Sequence, residues 1–215
     1  MKSKMTNKIT IKNVFAHLHK ILVHKYWVAH YCFKAGLYWQ GIVHDLSKFS
    51  PTEFWESVRY YQGTSSPIPV AKAEKGYSVA WQHHKGRNPH HYEYWTDNYD
   101  SGTTCIEMPY KYAVELICDW LGAARAYLGK EFSYTKEYMW WMKKRQVSKI
   151  HSHTVNFISA VFETLARLEQ DEIPVLKGTT PDEYFSKRFL KVLYYNYSKS
   201  ETYVRMLRKA QGPTV

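Results

Sequence analysis

Cysteine is scarce in this chain. Its 215 residues include three, Cys32, Cys105 and Cys118, with no CxxC spacing among them. That odd, scattered set excludes a disulfide framework and fits a reducing compartment. Long apolar runs are also missing. No stretch approaches the 18 apolar residues of a membrane span, and the basic start MKSKMTNKIT runs into no signal-peptide core. The expected location is the cytoplasm, with no membrane partner. Acidic residues are outnumbered 19 to 30 by Lys and Arg, for a net charge of +11 and a pI near 9.4. The excess suits an anionic partner, nucleotide or nucleic acid, although a merely basic surface has the same composition. The basic residues are spread along the chain, which argues against a dedicated nucleic-acid arm. There is no internal repeat and no low-complexity tract, and strand signals are weak throughout.

What the chain does have is a core and helical periodicity. Hydrophobic residues make up 45% and aromatic residues 17%, with 19 Tyr and 8 Trp. Much of the core is therefore aromatic, with hydroxyl and indole groups that need partners. Val14, Leu18, Ile21, Val28 and Cys32 recur at helical spacing over 11–34, and Gly36 closes that helix. A short helix over 37–47 ends in His44-Asp45. Ser50-Pro51-Thr52-Glu53 has the form of a capping box and starts a third helix to about 61. Residues 62–76 read as a loop, 77–84 as a short helix, and 85–108 as an irregular segment that can act as a lid. Helices follow over 110–128, 134–145 and 148–169. Thr180-Pro181-Asp182-Glu183 is a second capping box, opening a helix to about 196, with a last one over 199–209. The predicted fold is all-α, with a domain over 11–170 and a C-terminal helical extension over 171–215 packed on it.

Nine of the 11 histidines lie within the first 91 residues. His17, His19 and His30, single on a helix, read as ordinary satisfied residues. His83-His84 and His90-His91, six residues apart within HHKGRNPHH, are a different matter. Neutral imidazoles and carboxylates are ligands for Zn, Mn, Fe, Co and Ni. Adjacent His and Asp side chains on one helix point about 100° apart, so His44 and Asp45 meet at one ion only if that helix packs end-on. Asp119 stands in an apolar helix beside Cys118, Trp120 and Leu121, with small Gly122 and Ala126 letting another element approach. A buried carboxylate needs compensation, either from a metal or cation or from Tyr, Trp or Lys in a helical bundle.

The stretch Val43-His44-Asp45-Leu46-Ser47-Lys48 resembles the HD-x-x-K signature of the HD-domain metal-dependent phosphohydrolases. His24 looks like that superfamily's first ligand and Asp119 like its last. Taken together, HDLSKFS, AWQHHKGRNPHHYEYW and ICDWLGA look still more like an uncharacterised bacterial and phage family of unknown function, over about residues 15–165. The departures from the cyclic-dinucleotide branch, Ser47 for Gly and Lys85 for Glu, count against that substrate. The resemblance implies an HD-like helical bundle with an irregular His-rich loop, holding one or two divalent transition-metal ions (Mn, Fe, Co, Ni or Zn). The implied ligands are His24, His44, Asp45, His84, His90 and Asp119. The implied activity is hydrolysis of a nucleotide or other small phosphate ester by metal-activated water. Asp45 and Lys48 are its catalytic residues, and Lys48, His83, Lys85, Arg87 and His91 contact the substrate, with Trp81, Tyr92 and Trp95 available for stacking. The alternatives are a nucleotide- or nucleic-acid-binding protein with a structural metal, and a di-iron oxygenase on the same scaffold. Neither the substrate nor the oligomeric state is legible in the sequence.

Overall fold

The structure, a computed structural model, describes residues 8–197. It is predominantly α-helical with one two-stranded sheet. Helix α1 spans Ile11–Lys34. Thr10 caps its start by accepting from the Asn13 amide at 3.1 Å. Gly36, at φ 73°, reverses the chain at its end, a conformation that costs any residue with a Cβ. Helix α2 is Tyr38–Val43, and a 3-10 turn over Leu46–Phe49 leads to α3, Pro51–Tyr60. Next come α4 (Pro67–Lys75), α5 (Val79–Arg87) and a 3-10 turn over Tyr92–Trp95. Strands β1 (Thr96–Tyr99) and β2 (Gly102–Cys105) pair antiparallel with Tyr99 opposite Gly102. Helices α6 (Tyr110–Leu128), α7 (Tyr134–Val147), α8 (Ser152–Glu169) and the single turn α9 (Pro181–Tyr184) follow, and residues 187–197 are helical.

Four sequence expectations change. Residues 67–75 are helix rather than loop, because Ser66 caps the Ile68 amide, Pro67 takes the first helical position and Gly76 supplies the left-handed stop. The segment 85–108 is not irregular: α5 runs on to Arg87, and a hairpin follows. The capping box at Thr180–Glu183 forms in full, yet its helix breaks after one turn and resumes at 187. Finally, His44-Asp45 is not in a helix, since α2 stops at Val43. The helix expected over 199–209 lies outside the described residues.

The core lies between α1 and α6, with α7 and α8 packed behind α6. Val28, Ile117, Leu121, Phe157 and Phe162 have no exposed surface, and fully burying each such side chain contributes about 1.5–3 kcal/mol. The aromatic polar groups find partners. Trp141 donates to Ser159 Oγ at 2.9 Å, and the Tyr31 and Tyr134 hydroxyls lie 2.8 Å apart. Arg125 binds Tyr31 at 2.7 Å and Asp182 at 2.5 Å. Phe185 and Leu190 enter the same core, so the C-terminal segment shares it with the rest of the chain.

One close approach sets up the site. Gly122 on α6 meets Val28 on α1 so tightly that a Cβ there would lie 2.9 Å from the Val28 backbone nitrogen. That contact brings Asp119 and His24, one turn away on their respective helices, to 3.1 Å.

Candidate metal centre

Asp45 sits at the break between α2 and the 3-10 turn in the left-handed region, φ 55° and ψ 28°. Among the described residues only Asp171 shares a positive φ without being glycine. Asp tolerates this better than most residues, at a cost of about 1–2 kcal/mol. The break solves the problem of adjacent side chains. Free of one helix, His44 and Asp45 converge, with His44 Nε2 3.3 Å from Asp45 Oδ2. The 3-10 turn then carries Lys48 back over Asp45, its ammonium 2.5 Å from Oδ2.

The two oxygens of Asp45 face different ways. Oδ2 looks toward His24 at 3.4 Å and His44 at 3.3 Å, and Asp119 Oδ1 lies 3.1 and 3.3 Å from the same two imidazoles. Oδ1 looks toward His84 and His90, each 3.4 Å away at Nε2. His91 packs against both of those rings, with centroids at 4.7 and 4.3 Å. Two buried donor sets result, each able to hold an ion: His24, His44, Asp45 and Asp119 on one side, and Asp45, His84, His90 and His91 on the other.

The spacing fits a metal better than it fits a hydrogen-bond network. His90 Nε2, His91 Nε2 and Asp45 Oδ1 are buried without a hydrogen-bond partner, while Asp45 Oδ2 meets the Lys48 ammonium and His24 Nε2 meets Asp119. Each such atom costs about 1–3 kcal/mol if left so. A tetrahedral ion with metal–nitrogen bonds of about 2.0–2.1 Å separates its ligand atoms by about 3.3 Å, and the imidazole–carboxylate separations of His24, His44, His84 and His90 are 3.1–3.4 Å. The donors are nitrogen and oxygen only, a set suited to first-row divalent metals.

A second layer holds the imidazoles. Glu115 Oε1 lies 3.0 Å from His44 Nδ1 and 3.3 Å from His90 Nδ1, so one carboxylate steadies a histidine of each set. Glu53 does the same for His84 Nδ1 at 2.7 Å and His83 Nδ1 at 2.6 Å. With Nδ1 turned to a carboxylate, Nε2 is the atom that these rings direct to the centre. Ser50 still accepts from the Glu53 amide at 3.4 Å. The Glu53 side chain, however, leaves the expected capping box for the two histidines.

Electrostatics follow from this packing. Burial works to keep His44 neutral, but Asp45, Asp119 and Glu115 outweigh it and hold its pKa well above the usual histidine value. Burial likewise works against ionising Asp45 and Asp119. The surrounding imidazoles, with Lys48 at Asp45, keep both carboxyls well below their usual range. His91 goes the other way: burial, then His90 and His84, press its pKa well down, so it stays neutral.

A cavity of about 380 Å³ opens onto both donor sets, exposing His24 and Asp119 of one and His84 and His91 of the other. Lys48 lines it. Lys85, Arg87 and His83 do not. Arg87 is exposed, Lys85 half-buried, and His83 is turned to Glu53. The cationic lining comes instead from Lys20, Lys72 and Lys144. Lys72 lies over the Trp81 ring at 5.1 Å and Lys144 over Tyr92 at 5.5 Å. Trp95 bonds the Pro89 carbonyl at 2.6 Å and is absent from the lining. His91, expected at the substrate, stands in the second donor set. Sequence reasoning missed Glu53 and Glu115. Glu53 looked like a cap, and Glu115 carries a signal in its place one turn before Asp119 on an apolar helix.

A helical protein with a buried His/Asp cluster at the spacing of metal ligands is the class that this fold and site define. Residues 13–164 match the model described as Family of unknown function (DUF5662), and the chain belongs to that family. No curated protein and no solved structure matches the chain.

Proposed function

We propose that this protein is a metal-dependent phosphohydrolase acting on a nucleotide or other small phosphate ester. The observation that carries the reading is the Asp45 carboxylate, with one oxygen toward each of two buried donor sets beside a lysine-lined cavity. His24, His44, Asp45 and Asp119 would hold one divalent ion, and Asp45, His84, His90 and His91 a second. Ions so held acidify water and draw charge from a phosphoryl oxygen.

The protein's own groups do the rest. Asp45 fixes the two sets relative to one another, and Glu115 and Glu53 hold the imidazoles with Nε2 directed to the centre. Lys48 pairs with Asp45 in this state. It is also the lining cation nearest the donor sets, so a phosphate entering there gains its charge. Trp81 and Tyr92 line the cavity as apolar surface for an organic group, and Lys72 and Lys144, lying over those rings, add positive charge.

The test is a phosphatase screen over nucleotides and small phosphate esters with protein loaded in turn with Mn, Fe, Co, Ni and Zn. Turnover by the wild type and its loss in Asp45→Ala support the reading. No turnover with any metal contradicts it.

A further inference from the structure

His17 lines the cavity but belongs to neither donor set. It is 6% exposed, and its Nδ1 is buried without a hydrogen-bond partner. Its ring lies between Phe54 and Tyr61, with centroids at 5.7 and 5.3 Å. A residue there for packing alone needs no ring nitrogen. An unmet buried one costs about 1–3 kcal/mol, a cost that leucine or phenylalanine at the position would avoid. Burial, aided by nearby Lys48, lowers the His17 pKa to about 4. The ring is a neutral hydrogen-bonding group at any ordinary pH.

Its place on α1 supplies a length. His17 and His24 are seven residues apart, nearly two full turns, so they lie on one stripe about 10 Å apart along the axis. Between them on that stripe is Ile21, 3% exposed and also lining the cavity. Read along the cavity wall, the helix offers a donor-set histidine, an apolar surface and then a neutral polar group. Ser57, one turn after Phe54 on α3, also lines the cavity.

We propose that the stripe His24–Ile21–His17 measures the substrate. A phosphate sits at the donor sets, a compact apolar-faced body lies against Ile21, and a neutral hydrogen-bonding edge meets the His17 imidazole, about 10 Å along the axis of α1 from His24. This rests on the phosphohydrolase reading and narrows it. Inorganic phosphate and short esters such as glycerol phosphate reach only the first station. A nucleoside monophosphate has the length and the neutral polar edge to reach all three.

Binding and turnover are measured separately, so that the two readings fail separately. Manganese-loaded full-length protein is titrated calorimetrically with ethylphosphonate and with the adenosine, guanosine and uridine 5′-phosphonates, whose C–P bonds resist hydrolysis. At least one nucleoside phosphonate binds more tightly than ethylphosphonate. The ratio of the two affinities falls about three- to tenfold in His17→Leu, the range expected for one lost hydrogen bond, and His17→Gln regains most of it. The inference is overturned if no nucleoside phosphonate outbinds ethylphosphonate, if His17→Leu leaves the ratio unchanged, or if His17→Gln behaves as His17→Leu. Nucleoside monophosphates that bind with this pattern but are not hydrolysed overturn the hydrolase reading and leave the ruler standing.

Discussion

A Cβ added at Gly122 would lie 2.5 Å from Val28 Cγ2 and 2.9 Å from the Val28 backbone nitrogen. The second contact is with main chain, which cannot rotate away. Gly122→Ala therefore pushes α6 off α1 and moves Asp119 from His24. We expect a loss of about 1–3 kcal/mol in stability, as for other overpacked cores. Metal affinity falls with it. Thermal unfolding with and without manganese reads both. A variant with wild-type melting temperature and metal affinity would show that the contact does not set the site.

Glu115 holds one histidine of each donor set. Glu115→Gln keeps the shape and removes the charge that orients His44 and His90. Loss of such a supporting carboxylate typically weakens metal binding about 10–100-fold. Calorimetric titration with manganese checks this, and the expected result is that both binding events weaken. An effect on one event alone would place Glu115 with a single set.

Removing a ligand private to one set separates the two. His24→Ala should abolish one binding event and His84→Ala the other, while Asp45→Ala, which touches both, abolishes both. Metal content by plasma mass spectrometry after dialysis reads this directly. Equal loss in all three variants would mean that the two sets act as one.

Glu137 on α7 is 8% exposed, and burial raises its pKa to about 7. Its folded pKa lies above the unfolded value, so the folded state keeps a proton that the unfolded chain loses. Stability from this group is therefore present below about pH 4.5 and falls as pH rises to about 7. Glu137→Gln should match the wild type near pH 4 and exceed it by about 2–3 kcal/mol at pH 8. Urea unfolding at the two pH values tests this. Equal stabilities at pH 8 would mean that the ionised carboxylate is solvated.

How much of this was legible depends on the range of each interaction. Local signals read well: the stripe of α6, the cap at Thr180 and the Gly36 stop are all decided within a few residues. The paired histidines of HHKGRNPHH and Asp119 stood out because clustered histidines and a lone acid in an apolar helix are conspicuous, whereas His24 was marked only by the resemblance to the HD-domain signature. Glu53 shows where local reading fails. Its sequence neighbours spell a capping box, but His83 and His84, 30 and 31 residues away, compete for the carboxylate and win. The break at His44-Asp45 was invisible for the same reason. Nothing local demands a left-handed Asp; Asp45 meets His24 on α1 and His84 on α5, and α6 holds the neighbouring His44. Lys85 and Arg87 looked like a phosphate clamp by adjacency in sequence, whereas Lys20, Lys72 and Lys144 reach the cavity from three separate helices.

The central claim is that the Asp45 carboxylate stands between two metal sites. The most direct measurement is anomalous diffraction from manganese-loaded crystals, collected on both sides of the metal absorption edge. The account predicts two anomalous peaks, one beside Asp45 Oδ2 among His24, His44 and Asp119, and one beside Oδ1 among His84, His90 and His91. No peak at Asp45, or a bound ion held elsewhere in the chain, would contradict it.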